Sequence, residues 1–385
     1  MTINKIGIIG LGLIGGTLAK TIHRIHPTIQ IIACDPNRDS LKQALSEEVI
    51  AQGFDSLSTD ADCSEREAAH STGKDSAVSA LSSCRYIFLC APVQQNESFL
   101  ELLAPYLNEN CILTDTGSVK ASIHADVRTH GLSRYFIGGH PMAGSEKSGY
   151  ANATPYLFEN AYYIITHDDE IDRDLVTEYK DFIASLGCIP LLMSPTEHDY
   201  NTAAVSHLPH ILASSLVNLV RRLDNEQEDM KSIAAGGFKD ITRIASSSPV
   251  MWEEICETNR EQLLILLNHF IHDMEAIREE ISESDKCAIL SFFQQAKDYR
   301  DSLPIQKNSS LPRIYEIYCD LIDEAGGIAT IATILATNAI SIKNIGIIHN
   351  REFQQGVLRI EFYGEEPLRQ AILLLRRHHY TVYER

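Results

Sequence analysis

In the first half of the chain, apolar residues fall in short runs rich in Ile, Val and Leu, separated by stretches of helical spacing. Residues 5–11 (KIGIIGL), 30–34 (QIIAC), 85–91 (RYIFLCA), 111–114 (CILT), 135–138 (YFIG), 161–166 (AYYIIT) and 188–193 (CIPLLM) have the length and composition of buried strands. Between them, residues 16–25, 96–106 and 172–185 read as helices. This alternation predicts an α/β fold, with a Rossmann dinucleotide-binding domain over residues 1–194. Residues 49–83 break the rhythm. Polar and without clear period, they read as a loop or ragged helices carrying an insertion, and no chemistry is assigned to them.

Beyond residue 194 the pattern changes. Residues 195–222 read as one long helix, with Ser194 as N-cap and Glu197 three positions on, a capping box. Pro209 removes a backbone hydrogen bond and should bend it. A second helical stretch covers residues 250–281. Long apolar-faced helices with few strands pack against one another or against a second subunit, so residues 195–305 read as an all-helical domain. Residues 306–312 (QKNSSLP) read as a linker. The tail, residues 312–385, has the order strand (313–321), helix (328–338), strand (340–349), strand (356–362), helix (365–378), strand (380–383). That βαββαβ order is a ferredoxin-like module.

The candidate chemistry sits where strands end. Gly10-Leu11-Gly12-Leu13-Ile14-Gly15 follows the first strand and opens a helix, and Asp35 ends the second strand. Strand, glycine turn, helix, strand and acid in this order make the dinucleotide fingerprint. The glycines admit a pyrophosphate to the backbone, the helix N-terminus offers it N–H groups, and the acid accepts hydrogen bonds from the adenosine ribose. Asp35 favours NAD over a 2′-phosphorylated cofactor, and Arg38 could soften that preference. Ala91, Pro92 and Val93 close the third run, where a nicotinamide would pass the sheet edge. Residues 137–149 (IGGHPMAGSEKSG) hold four glycines and His140, with almost no bulky apolar side chain. They read as a loop rather than core, at an edge where ligands bind and a histidine can move protons near neutral pH. Ser118, in DTGSVK, reads either as a helix N-cap or as a site residue.

Composition narrows the partners. A chain of 385 residues accommodates two or three domains. The formal charge of −19 argues against nucleic acid and anionic membranes, while leaving room for a local pocket that binds a small anion. Nine cysteines without CxxC or Cys/His metal spacing read as reduced thiols of a cytoplasmic protein with no metal site. The chain enters a strand within a few residues of Met1, without a charged leader and apolar core, and no apolar run reaches the roughly 18 residues of a membrane span.

Taken together, GLGLIGG, DTGSVK, GHPMAGSEKSG, SHLPH and GGFKDITRIA resemble the prephenate dehydrogenases of tyrosine biosynthesis, in that family's order, from about Ile6 to about Ile281. The tail resembles an ACT domain. The resemblance implies NAD-dependent oxidative decarboxylation of prephenate to 4-hydroxyphenylpyruvate, by a homodimer formed through the helical domain. His140 matches the catalytic histidine that accepts a hydrogen bond from the ring hydroxyl, and Ser118 the serine that bridges histidine, hydroxyl and nicotinamide. Arg243 matches the carboxylate-binding arginine, and His210 a histidine lining the pocket. Ser145 and Glu146 match pocket residues. Asp240 and Trp252 match less tightly, and in many relatives the site is completed across the dimer. Asp323, Glu324, Ala325, Gly326 and Gly327 occupy the loop where ACT domains hold an amino-acid effector, tyrosine being the natural feedback ligand; the rival is a tail that only assembles subunits. Arogenate would suit the same motifs. A 3-hydroxy-acid dehydrogenase would rely on a helical-domain lysine, for which Lys239 is available. A non-catalytic sensor of NAD and an amino acid would need a decayed site, whereas His140, Ser118 and Arg243 are all present.

Overall fold

The structure of the chain is a computed structural model that describes residues 3–57, 76–144, 147–303, 315–320, 326–348 and 357–384. It forms two compact units, residues 1–296 and 297–385.

The first unit is built on eight strands: β1 (Lys5–Ile9), β2 (Gln30–Cys34), β3 (Gln52–Phe54), β4 (Tyr86–Leu89), β5 (Ile112–Asp115), β6 (Phe136–Pro141), β7 (Tyr162–His167) and β8 (Ile189–Leu192). Their order is β3-β2-β1-β4-β5-β6-β7-β8. Strands from β3 through β6 are parallel, β7 runs antiparallel to β6, and β8 is parallel to β7. This is the dinucleotide-binding order 3-2-1-4-5-6 with two strands added beyond β6. Alternate residues of β1 feed opposite faces. Ile6 and Ile8 join Leu18, Ile22 and Tyr179 on one side, and Ile9 joins Ile32, Leu89 and Leu113 on the other. Cover on both faces explains the continuous apolar runs.

Two expectations change here. β3 lies in the stretch read as a loop or ragged helices, a reading that the short helix Ala77–Leu81 fits and the strand does not. β3 has only three residues, all half-buried, so it carries no apolar signal. The second change concerns His140, which lies on β6 opposite Ile164 rather than in a loop. Ile137, Gly138 and Gly139 before it are buried. Poverty in apolar side chains did not keep this stretch out of the core, because its glycines admit their neighbours. A Cβ on Gly138 would sit 2.3 Å from Thr166 Oγ1, and one on Gly139 would sit 2.4 Å from the Tyr163 hydroxyl.

The helical part starts at Pro195, behind the expected Ser194–Glu197 capping box. Its first long helix is interrupted: Pro195–Thr202 runs into a π-helical turn, Ala203–His207, then Leu208–Leu223. Pro209 falls in the first turn of that last segment, directly after the widened turn, where a missing N–H costs little. Residues 195–223 are long enough to cross a membrane, and one 18-residue window within them reaches a mean hydropathy of 1.3. Yet several of their buried side chains are polar, namely His198, Asp199, Thr202 and His207, while Val205, Leu219 and Leu223 are exposed. The expected 250–281 helix is also divided, into Pro249–Thr258 and Arg260–Ser282, at the buried Asn259.

The second unit has strands β9 (Tyr315–Asp320), β10 (Ile342–Ile348), β11 (Val357–Phe362) and β12 (Val382–Glu384), antiparallel in the order β10-β11-β9-β12. Helices Gly327–Thr337 and Glu365–Arg377 complete the βαββαβ module. Ile331 and Leu335 from one, and Ala371 and Leu375 from the other, share a core with Ile317, Leu358 and Ile360. This is the ferredoxin-like topology of an ACT domain. Gly326, at φ +95°, opens the first helix. Asp323, Glu324 and Ala325 lie outside the described residues, as do Ser145 and Glu146.

Candidate active site

The glycine turn after β1 is shaped for close approach. Gly10 has φ +95°, and a Cβ there would lie 2.6 Å from the Ala91 nitrogen. A Cβ on Gly15 would lie 1.9 Å from the Gly10 carbonyl oxygen, so only glycine lets the helix Leu13–Ile25 sit this near β1. Gly12, the N-cap, has open space around it and makes no side-chain cap bond, which leaves the helical N–H groups available to a pyrophosphate. Asp35 accepts hydrogen bonds from the N–H groups of Leu11 and Asn37, which fixes its carboxylate at the end of β2. Arg38 donates to Asp55 at 2.6 and 2.9 Å, a pairing that draws its guanidinium onto a carboxylate. Ala91 packs at Gly10, and Val93 lies beside Gly117. The cradle fits NAD.

His140 stands at the carboxyl edge of the same sheet, on β6. Around it a buried network joins β5, the loop after it, β6 and the helix Pro195–Thr202. Lys120 is fully buried and its ammonium donates to Asp115 and, at 2.8 Å, to the Gly139 carbonyl. Asp115 also accepts the N–H groups of Gly117 and Gly139. Burial pushes the Lys120 pKa below its usual value, while the Asp115 charge works the other way. His140 Nδ1 lies 2.8 Å from His198 Nε2, and His198 Nδ1 lies 2.7 Å from Asp199 Oδ1. Asp199 in turn accepts the N–H groups of Lys120 and Ala121, capping the helix Ala121–Thr129 from across the fold. Ser118 is therefore not that helix's cap; it lies half-buried in the loop between β5 and the helix. Burial first, then the neighbouring His198, Lys120 and His207, holds the His140 pKa well below the ordinary value, so its imidazole is neutral at pH 7. Burial lowers His198 as well.

A second set of rings continues from the network. Asn259 donates to the Asp199 carbonyl at 2.9 Å and lies 3.2 Å from His207 Nδ1. His207 meets Trp252 edge-on, and His210 stacks on that indole with centroids 4.0 Å apart. Burial pushes the His207 pKa down to about 4. Burial lowers His210 too, against a hydrogen bond to the Ile244 backbone, which ties it to the turn opened by Arg243. Arg243 and Asp240 are exposed, as is Lys239. Sequence reasoning missed Lys120, His198, Asp199 and Asn259 as parts of this arrangement. The one available signal was position, since His198 and Asp199 directly follow the capping box and with Thr202 form the inward stripe of that helix.

A doubly wound sheet, a glycine cradle for NAD and a neutral histidine at the sheet's carboxyl edge define a nicotinamide-dependent oxidoreductase. Two family profiles narrow this further, the nucleotide-binding domain of prephenate dehydrogenase over residues 39–189 and its dimerization domain over residues 194–295. A prephenate dehydrogenase from Bacillus subtilis is 38% identical over 365 residues, covering 94% of this chain and 93% of the relative. The chain belongs to the prephenate dehydrogenase family. Among solved structures, prephenate dehydrogenase from A. aeolicus, in complex with hydroxyphenyl propionate and NAD+, superposes with a TM-score of 0.70 at 29% identity, covering 79% of this chain and 99% of that one. Synechocystis arogenate dehydrogenase gives 0.64 at 27% identity, covering 77% and 99%.

Proposed function

We propose that the chain catalyses the NAD-dependent oxidative decarboxylation of prephenate to 4-hydroxyphenylpyruvate, with His140 as the group that takes the ring hydroxyl's proton. The observation that carries this is the neutral His140 imidazole on β6, bonded through Nδ1 so that Nε2 is left for substrate. NAD, when bound, accepts the hydride from the ring carbon that bears the hydroxyl. As hydride leaves, His140 draws off the hydroxyl proton; carbon dioxide then departs, its bonding pair aromatises the ring, and the oxygen recovers a proton as phenol. Ser118, in the loop beside β6, orients hydroxyl and imidazole. Arg243 binds a substrate carboxylate, with a planar fork that suits bidentate contact. His210 and Trp252 line the ring pocket, and Asp240, Ser145 and Glu146 take part in binding the substrate. The buried Trp252 Nε1–H has no hydrogen-bond partner and offers a further donor to a polar substrate.

The domain limits we assign are residues 1–194, 195–305 and 312–385. The apolar outer face of the helical part pairs two copies into a homodimer. The segment Asp323, Glu324, Ala325, Gly326 and Gly327 binds tyrosine as feedback inhibitor. Free thiols at all the described cysteines suit a reducing cytoplasm. The test is NADH formation with prephenate and with arogenate, each with and without millimolar tyrosine. Turnover of prephenate suppressed by tyrosine supports the whole reading. Preference for arogenate moves the substrate assignment, and turnover indifferent to tyrosine removes the effector. His140→Asn should keep NAD affinity and lose most turnover; unchanged turnover would end the role given to His140.

A further inference from the structure

We propose that His198 and Asp199 act as positioning residues that fix His140 in its Nδ1–H tautomer and hold, during turnover, the proton that His140 borrows. The proposal rests on His140 being the proton acceptor. It starts from Asp199. Backbone N–H groups can only donate, and two of them engage this carboxylate, Lys120 at 2.7 Å on Oδ1 and Ala121 at 2.8 Å on Oδ2. Asp199 is therefore an acceptor on both oxygens, and His198 Nδ1, 2.7 Å from Oδ1, carries the hydrogen between them. A neutral imidazole has one N–H, so His198 Nε2 is an acceptor. His140 Nδ1 lies 2.8 Å from it and must donate. One nitrogen of His140 is then left with a free lone pair, Nε2, the form able to accept from a hydroxyl. The opposite assignment would arm His140 with an Nε2–H and make it useless as an acceptor. Thr202 Oγ1, 3.3 Å from His198 Nε2, closes the ring's remaining edge.

The groups facing this pair come from every neighbouring element. Lys120 and Asp115 approach from the β5 loop, His207 and Thr202 from the π-helical segment and its helix, and Asn259 bonds the Asp199 carbonyl. Their burial keeps both imidazoles neutral at rest. The chemistry needs a borrowed proton rather than a released one, since the product oxygen ends as a phenol. The hydroxyl proton passes to His140 Nε2, and the proton on His140 Nδ1 shifts to His198 Nε2, whose imidazolium is then paired with Asp199. As the carbon–carbon bond breaks and its electron pair enters the ring, the oxygen takes a proton back from His140 Nε2. His198 returns its own to His140 Nδ1. Both rings end as they began.

The experiment uses the full-length enzyme with 15N-labelled histidine. In the parent, the His140 resonances should show Nδ1 protonated and Nε2 bare; the reverse pattern overturns the proposal without any variant. His198→Gln places an amide oxygen where His198 Nε2 stood, keeping the tautomer but not the proton store, and should lower kcat about 10-fold. His198→Leu removes the acceptor and should lower kcat about 100-fold with a mixed His140 tautomer. KM for NAD should stay within about 2-fold in both, since the cradle lies elsewhere. Equal losses in the two variants with an unchanged tautomer, or full activity in both, overturn the relay. If His140→Asn were itself fully active, the base assignment would fail instead, a result distinct from active His198 variants beside an inactive His140→Asn.

Discussion

Lys120→Met removes an ammonium that is wholly buried and leaves Asp115, also buried, without its counter-charge. Stranding one partner of a buried ion pair costs about 3–5 kcal/mol, several times the effect of losing a surface pair. Against a typical total of about 5–15 kcal/mol, that is a large share. For a unit of this size the melting temperature should fall on the order of 10 °C. The loss should reach the site as well, because the Lys120 ammonium also holds the carbonyl of Gly139, the residue before His140. Calorimetry of Lys120→Met, Asp115→Asn and the double variant separates the terms. The double variant removes the stranded charge and keeps an oxygen for the Gly139 N–H, so it should regain about half of the loss. A single variant within about 1 kcal/mol of the parent, or strictly additive losses in the double, would refute the claim that charge compensation holds these elements together.

Other expectations are simpler to check. Gly15→Ala places a methyl 1.9 Å from the Gly10 carbonyl, so NAD affinity measured by calorimetric titration should drop at least about 10-fold, and unchanged affinity would contradict the cradle geometry. Asp55→Ala frees Arg38 from its carboxylate, and the ratio of kcat/KM for NADP over NAD should rise several-fold; a constant ratio would show that Arg38 does not reach the ribose. His207 has a folded pKa of about 4 against an unfolded value near 6.5, so the unfolded chain takes up the proton first on acidification. Its contribution is complete above pH 6.5 and is lost as pH falls toward 4, up to about 3 kcal/mol, and urea unfolding of His207→Gln across that range should show a shallower pH slope.

The parts of this molecule that declare themselves in the sequence are those whose cause is local. β1, its glycine turn and Asp35 form a continuous stretch in which each residue's reason lies within a few neighbours. The same holds for the capping box at Ser194 and for the tail's βαββαβ order. β3 leaves no pattern because its three residues are only half-buried, and the strand that carries His140 runs on past Gly138 to Pro141 because the bulk of Tyr163 and Thr166 packs against its glycines. The partners of His140 were hidden for a different reason. His198 lies 58 positions away on another kind of element, and nothing in the intervening chain marks the pairing. Asn259 breaks a helix that its sequence alone would continue, because its amide is needed by the Asp199 carbonyl and lies against His207.

Two adjacent side chains, His198 and Asp199, stitch the helical half of the enzyme to the sheet half. One meets His140 on β6 and the other seals the first turn of a helix that follows the neighbouring strand. Exchange of halves between relatives therefore has a short compatibility rule. A hybrid whose helical half carries some other residue pair at these positions would inherit an intact dinucleotide cradle and an intact histidine, yet present that histidine in no defined protonation pattern. In such lineages, the two positions and the loop that receives them would have to change hands together.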